Sequence, residues 1–244
     1  MKAVEIDTKK SELTRVPEAE RTFFLLIGHL ANELNVLNKL LFFCSQFETS
    51  EGWERRASTA QALVVGKILA GKLSEGWELL QRSFFSSKLS QLFEPLLAPE
   101  AKEALGHLKR YFGKENLIRN VRNRFSFHYS VEDVRGVFDQ MPDTDEWQMC
   151  LADSNGNSLY YSSELVVNYA LLDAIAPGTP QQAMEKLLEE TTKVTGWFIA
   201  LINGCMVVFA ERHLLDSDGK LEMRPVAIAD VPSKDDVRIP YFIA

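Results

Sequence analysis

Apolar residues recur at steps of three and four positions along the first long segment of the chain, which begins near Glu18. These positions are Phe23, Leu26, Ile27, Leu30, Leu34, Leu37, Leu41 and Cys44. Side chains at such steps share one face of an α-helix, so the pattern predicts a long helix with one apolar face. We expect this helix to end before Ser50-Glu51-Gly52.

Helical patterns cover most of the remaining chain. The predicted helical segments are 53–87, 99–112, 130 to about 140, 163–176 and 181 to about 215. Because the helices are long and joined by short links, they predict an all-α fold, a helical bundle that forms one domain over residues 18–215. A polar leader, residues 1–17, precedes this domain.

Three glycines, Gly66, Gly71 and Gly76, lie inside the second predicted helix. Each costs about 1 kcal/mol relative to alanine in a helix interior, so their presence needs a reason. The sequence contains neither a Walker motif nor a dinucleotide-binding glycine pattern. We therefore interpret the three glycines as positions where helices pack closely.

Two segments break the helical pattern. Apolar residues alternate on both sides of Asn155-Gly156, a dipeptide typical of type I′ turns, so residues 146–161 predict a small β-hairpin inserted in the helical domain. Residues 216–244 contain three prolines and mixed charges, which favours an extended C-terminal tail. The tail ends in the apolar run 239–244, which we expect to dock in a groove, either on this chain or on a partner chain.

Composition limits the partners and the compartment. The net charge is −7, so nucleic acid or an anionic membrane would have to be held by a local basic surface. The N-terminus lacks the apolar core of a signal peptide, and apolar stretches such as 197–210 are too short to cross a bilayer. The three cysteines are far apart and form no paired motif. We expect a soluble, cytoplasmic protein that has no metal site, cofactor or membrane contact.

Positive charge is concentrated between Lys109 and Arg124. This stretch holds six basic residues and one acidic residue, a local charge of +5. A partner that carries phosphate groups is one reason for such a stretch. A solvated helix face whose charges pair with neighbouring Asp and Glu residues is the other, and charge alone favours it.

The order of residues at the end of this stretch adds a motif. Arg122-Asn123 is followed by four residues and then by His128, which stands between Phe127 and Tyr129. The motif resembles the signature of the HEPN superfamily of α-helical proteins, in which an Arg precedes a His by four to six residues. The resemblance is confined to the motif and its helical setting. It implies a metal-independent RNA endonuclease of a bacterial defence or toxin–antitoxin system, with a site formed where two motifs meet in a homodimer.

The resemblance also implies a role for each side chain. His128 would take the proton from a ribose 2′-hydroxyl, because a histidine with a pKa of about 6.5 exchanges protons near neutrality. Arg122 would stabilise the negative charge that builds up on the phosphate. Asn123 would orient the phosphate or the ring of His128. Arg119, Arg124 and Tyr129 would bind the RNA substrate.

The same residues also allow a structural interpretation. His128 would then be a hydrogen-bonded side chain held between Phe127 and Tyr129, while Arg122 and Asn123 cap the helix or form ion pairs. The protein would be a non-catalytic binding or assembly module with a protein, RNA or nucleotide partner. On a straight helix, six positions separate Arg122 from His128 by about 120° around the axis, so the catalytic interpretation requires a kink or a helix end.

Overall fold

The computed structural model of the protein describes residues 1–45, 51–126, 131–141, 143–144, 146–154 and 156–244. These residues contain nine α-helices: α1 Lys10–Leu13, α2 Glu18–Cys44, α3 Gly52–Leu80, α4 Leu89–Phe93, α5 Pro99–Phe112, α6 Leu117–Val121, α7 Val131–Gln140, α8 Tyr161–Ile175 and α9 Pro180–His213. The predicted all-α fold is confirmed.

Helix ends follow the local sequence signals. α2 begins with Glu18 and Glu20, whose negative charges suit the positive end of the helix dipole. α5 begins at Pro99, a residue that needs no hydrogen bond at the first helical position. α3 continues beyond Leu80 into a π-helical turn, Gln81–Phe85, which was not predicted.

Among the described residues, a two-stranded sheet pairs the N-terminal leader with the first part of the C-terminal tail. Strand β1, Lys2–Glu5, pairs antiparallel with strand β2, Arg224–Ala227, with Lys2 opposite Ala227 and Glu5 opposite Arg224. The leader and the tail were predicted without strands, and their pairing is a correction. Pro225 fits this sheet because each strand of a two-stranded sheet is an edge strand, where a missing N–H is tolerated.

The predicted hairpin at residues 146–161 is present as a single antiparallel bridge. Cys150 N donates to Leu159 O at 2.8 Å, and Leu159 N donates to Cys150 O at 2.7 Å. Gly156 has φ of +92°, a backbone conformation that favours glycine. Asn155 lies outside the described residues.

The chain divides into two compact units. The first unit comprises Met1–Glu33, Glu75–Lys114 and Val194–Val237. The second unit comprises Leu34–Ser74, Glu115–Lys193 and Arg238–Ala244. The assignment of residues 18–215 to one domain stays a prediction.

Aromatic side chains form much of the core of the first unit. The rings of Phe23 and Phe84 stack with their centroids 5.1 Å apart, and both are fully buried. A Cβ atom at Gly76 would lie only 3.0 Å from a methyl carbon of Leu30 and 3.2 Å from the ring of Phe198. The predicted close packing is therefore confirmed at Gly76, whereas a Cβ atom at Gly66 would make only an ordinary contact with Leu41, at 3.9 Å.

The end of the tail packs inside the second unit. Tyr241 and Phe242 lie against a buried cluster that contains Ala57 and Leu159. The side chain of Asn157 donates to Ile243 O at 2.6 Å and accepts from Ile243 N at 3.0 Å. The apolar tail end therefore docks on its own chain.

One described helix, α9, is long and apolar enough to cross a membrane by length and composition alone. With 34 residues, α9 extends well beyond its apolar stretch 197–210, which by itself is too short to cross a bilayer. Within its most apolar 18 residues, 44% are buried inside the protein. Since the core helix of a soluble protein passes the same test, α9 is weak support for a membrane span. A soluble protein remains consistent with the fold, and a cytoplasmic location stays a prediction.

Candidate functional site

The basic motif is carried by α6, whose start is set by Asn116. The backbone of Asn116 is extended, and its side-chain oxygen accepts a hydrogen bond from Arg119 N at 2.9 Å. An asparagine in this position caps the helix because it satisfies an amide that has no partner within the helix. Ile118 and Val121 are buried and anchor α6 in the second unit.

The helix changes its geometry at the motif itself. Residues Arg122–Ser126 form a π-helical turn that directly follows α6. A π-helical turn is wider than an α-helical one because its hydrogen bonds span five residues, and such turns are frequent at functional sites. The rotation of about 120° between Arg122 and His128 was derived for a straight α-helix, so it does not apply where residues 122–126 form a π-helical turn.

Arg122 and Asn123 interact through their side chains. Arg122 Nη1 donates to Asn123 Oδ1 at 3.1 Å. Arg122 is half-buried, whereas Asn123 is exposed. Because the amide oxygen of Asn123 accepts from Arg122, the remaining polar group of this side chain is its NH₂ donor. Hydrogen-bond donors are the groups that a phosphate requires.

Two further predicted substrate-binding residues lie on the same segment. Arg119 is half-buried and stands three positions before Arg122, a spacing that puts both side chains on one helix face. Arg124 is exposed, and its guanidinium carbon lies 5.1 Å from the centre of the Phe125 ring. The second unit thus holds three arginines within residues 119–124.

The earlier part of the basic stretch behaves differently. Lys109 Nζ forms an ion pair with Glu94 Oε1 at 2.8 Å and lies 5.2 Å from the centre of the Phe85 ring. Arg110 hydrogen-bonds to His107 at 3.0 Å. Lys109 therefore has the acidic partner that the interpretation as a charged helix face predicts, whereas Arg110 bonds to a histidine of its own helix.

His128 and Tyr129 lie outside the described residues, as does Ser130, the predicted cap of the next helix. That helix, α7, ends at Gln140 as predicted. Of the six predicted site residues, the structure therefore brings Arg122 and Asn123 into contact and describes Arg119 and Arg124 on the same segment. The roles of His128 and Tyr129 stay predictions.

His213 has a partner that the sequence did not reveal. Its Nε2 atom lies 2.8 Å from Glu20 Oε2, a carboxylate oxygen 193 positions away along the chain. Arg212 Nε donates to the same oxygen at 3.1 Å. Burial alone would raise the pKa of Glu20, but the hydrogen bonds from His213 and Arg212 lower it below its usual value. The three side chains connect α2 to α9 within the first unit.

Other side chains with groups that could take part in catalysis or bind a metal do not form a site among the described residues. His29 Nε2 lies 3.7 Å from Glu33 Oε1, one helical turn away at the surface of α2. Burial raises the pKa of the Cys205 thiol to about 12, so this cysteine is not a nucleophile near neutrality. Within the described ranges, no group of three His, Cys, Asp or Glu side chains is placed to hold a metal ion.

The second unit contains a cavity that was not predicted. It has a volume of about 500 Å³ and is lined by residues of α3, α8 and α9, among them Leu63, Glu164, Asn168, Leu172 and Met184. Glu164 and Asn168 are four positions apart and would share a face of the predicted helix 163–176. The sequence could not reveal that Lys67, far away along the chain, bonds to Asn168.

No protein-family model matches the sequence, and neither a curated protein nor a solved structure matches it.

Proposed function

We propose that this chain is a HEPN-like, metal-independent RNA endonuclease that serves a bacterial defence or toxin–antitoxin system. The observation that carries this proposal is the hydrogen bond between Arg122 and Asn123, at the first residue of a π-helical turn. It joins the two neighbouring side chains of the motif that the resemblance assigns to RNA cleavage.

The proposed chemistry needs a proton acceptor and a cation. His128 removes the proton from a ribose 2′-hydroxyl, and the resulting oxygen attacks the adjacent phosphate. A 2′,3′-cyclic phosphate forms as the bond from phosphorus to the 5′-oxygen breaks, and the 5′-oxygen leaves with the proton that His128 returns. Arg122 stabilises the charge on the phosphate oxygens with donors in a fixed planar arrangement. The bond to Asn123 restricts the rotation of the guanidinium and leaves the amide NH₂ group for a phosphate oxygen.

Substrate binding in this proposal relies on the local arginines. Arg119 and Arg124 contact the RNA backbone, and Tyr129 stacks on a base. Because the chain as a whole is acidic, binding should depend on these few contacts and weaken as salt rises. The site is completed by a second copy of the chain, so the active form is a homodimer.

The test is cleavage of total bacterial RNA in the presence of EDTA. We expect Arg122→Ala and His128→Ala each to lower the cleavage rate by about 100-fold or more. Arg135→Ala removes an exposed arginine on α7 and serves as the matched control, with an unchanged rate. Cleavage by both motif variants at the rate of the wild type would refute the catalytic proposal.

A stability measurement separates a catalytic from a structural effect. Both motif variants should keep the melting temperature of the wild type to within about 2 °C, less than the shift that 1 kcal/mol produces in a chain of this size. A large loss of stability in both variants, with no cleavage by the wild type, would favour the structural interpretation. Sedimentation of the wild type as a monomer at high concentration would contradict the dimeric site.

A second candidate function is that of a non-catalytic binding module. The cavity in the second unit favours it, because a largely apolar cavity with a few polar groups is typical of ligand sites. In this case Arg122 and His128 stabilise the fold, and purified protein leaves RNA intact. Its other predicted partners are a protein or an RNA that it binds without cutting.

A further inference from the structure

The cavity of the second unit has an apolar wall of a size that suits a small organic molecule. Leu63 and Leu172 are buried, and Met184 and Leu188 are half-buried along the same wall. A volume of about 500 Å³ lies within the range of about 300–1,000 Å³ that small-molecule sites occupy. The mouth exposes Leu165 and Tyr169, which are 46% and 41% accessible to solvent. The cavity therefore offers apolar contacts both inside and at its mouth.

Polar groups converge at one side of this cavity. Asn168 is buried, with 3% of its surface accessible. Lys67 Nζ donates to Asn168 Oδ1 at 3.1 Å, and Asn168 Nδ2 donates to Glu164 Oε2 at 2.8 Å. Asn168 and Glu164 line the cavity, whereas Lys67 bonds to Asn168 without being part of the lining. The charged group that this side of the cavity presents to a ligand is therefore the carboxylate of Glu164.

Burial and the charge of Glu164 also act on the pKa of Lys67. Burial lowers its pKa, and the negative charge of Glu164 partly offsets that effect. The hydrogen bonds to Asn168 keep its amide in one orientation, with the oxygen towards Lys67 and the NH₂ group towards Glu164. This arrangement positions one oxygen of Glu164 and leaves the other as an acceptor for a ligand.

The lining of the cavity carries charges of both signs. Its lining contains two carboxylates, Glu164 and Glu185, and one guanidinium, Arg55, which is exposed. The rings of Tyr161 and Tyr169 also line it, and the faces of aromatic rings attract cations. The guanidinium carbon of Arg56 lies 5.1 Å from the centre of the Tyr161 ring, so this environment already holds one cation against an aromatic face.

We propose that this cavity binds a small organic amine with an apolar body. The ammonium group donates to the carboxylate of Glu164, and the apolar body packs against Leu63, Leu172 and Met184. The carboxylate of Glu164 selects the cation, because it carries a negative charge and accepts hydrogen bonds. The inference does not rest on the ribonuclease proposal, since it concerns none of the residues of the motif.

Isothermal titration of the full-length protein with three probes tests the proposal. The probes, 4-phenylbutylamine, 4-phenylbutan-1-ol and 5-phenylpentanoate, share a phenyl ring with four methylene groups and end in an ammonium, a hydroxyl and a carboxylate group, respectively. We expect the amine to bind about tenfold more tightly than the alcohol, a difference of about 1.4 kcal/mol, and the carboxylate to bind most weakly. Equal binding of all three probes, tighter binding of the carboxylate, or no binding of the amine would overturn the proposal.

Two variants locate the site. Glu164→Gln should weaken binding of the amine about tenfold and leave binding of the alcohol unchanged, because it removes the charge and keeps the shape. Glu189→Gln, an exposed position on α9 outside the cavity lining, is the matched control and should bind the amine like the wild type. Met184→Trp should weaken both probes, since the larger side chain fills the cavity. Unchanged amine binding in Glu164→Gln, or an equal loss in Glu189→Gln, would refute the assignment to this cavity.

Discussion

Two glycines of α9 give a matched test of how closely helices pack in the first unit. Gly204 faces α5, and a Cβ atom built on it would overlap with the Cβ of Ala101 and lie 3.3 Å from a methyl carbon of Leu97. Gly196 is exposed eight positions earlier, and its Cβ would have no neighbour within 4 Å. An alanine substitution at either position therefore adds one methyl group to the same helix. At Gly204 the methyl group meets a packed neighbouring helix, whereas at Gly196 it meets open space.

The expected magnitudes follow from these contacts. Alanine in place of glycine within a helix stabilises it by about 1 kcal/mol, which is the full expected effect at Gly196. At Gly204 the overlap adds a cost of about 1–3 kcal/mol, towards the upper end because the Cβ of Ala101 cannot rotate away. We expect a net loss of about 2 kcal/mol for Gly204→Ala. In a chain of this size, that loss lowers the melting temperature by about 4–8 °C.

Thermal unfolding followed by circular dichroism, with chemical unfolding in urea, measures both variants. Gly196→Ala should melt about 2–4 °C above the wild type and Gly204→Ala below it. If Gly204→Ala were as stable as Gly196→Ala, α5 and α9 would not approach each other at Ala101. The packing argument for the first unit would then be wrong.

Two further predictions concern the buried polar groups. Glu20→Gln should reduce the free energy of unfolding at neutral pH by about 1.5–3 kcal/mol, because it removes charged hydrogen bonds from His213 and Arg212. The folded protein lowers the pKa of Glu20 below 4.5, so this contribution to stability is present above pH 4.5 and is lost as the pH falls through the lowered pKa. The free energies of unfolding of the variant and the wild type, measured in urea, should therefore converge in acid. Asn157→Ala should release the tail, because it removes both hydrogen bonds to Ile243, and carboxypeptidase should then digest the C-terminus faster than in the wild type. Equal digestion rates would show that the aromatic contacts of Tyr241 and Phe242, with the hydrogen bond from Tyr241 Oη to Ser158 O at 2.7 Å, hold the tail without Asn157.

The helices were predictable because their signal is local. Six of the eight apolar positions that predict α2 and its buried face are buried, whereas Leu26 is 38% exposed and Leu37 is half-buried. Pro99 marks the start of α5, and the end of α7 agrees with Gln140. The π-helical turns at residues 81–85 and 122–126 were not predicted, since a single wider turn shifts the apolar face too little for residue type and spacing to distinguish it from an α-helix.

The candidate site was predictable only where its residues are neighbours in the chain. Arg122 and Asn123 are adjacent in sequence and in contact in space. Glu20 and His213 also form a pair, but 193 positions separate them and no local pattern connects them. The same holds for Lys67 and Asn168 at the cavity. Interactions of this kind depend on how the helices pack, which the sequence specifies only through all of its contacts together.

The sequence by itself determined the helical class, the positions of most helices, the reason for Gly76 and the location of the basic motif. These features depend on residue type and spacing within a few turns, where the geometry of a helix is known in advance. The tertiary structure alone decided that residues 2–5 pair with residues 224–227 as β1 and β2, that the tail end docks beside Asn157, and that Glu164 and Asn168 line a cavity. Each of these depends on contacts between distant residues, whose stabilisation comes from packing rather than from local preference.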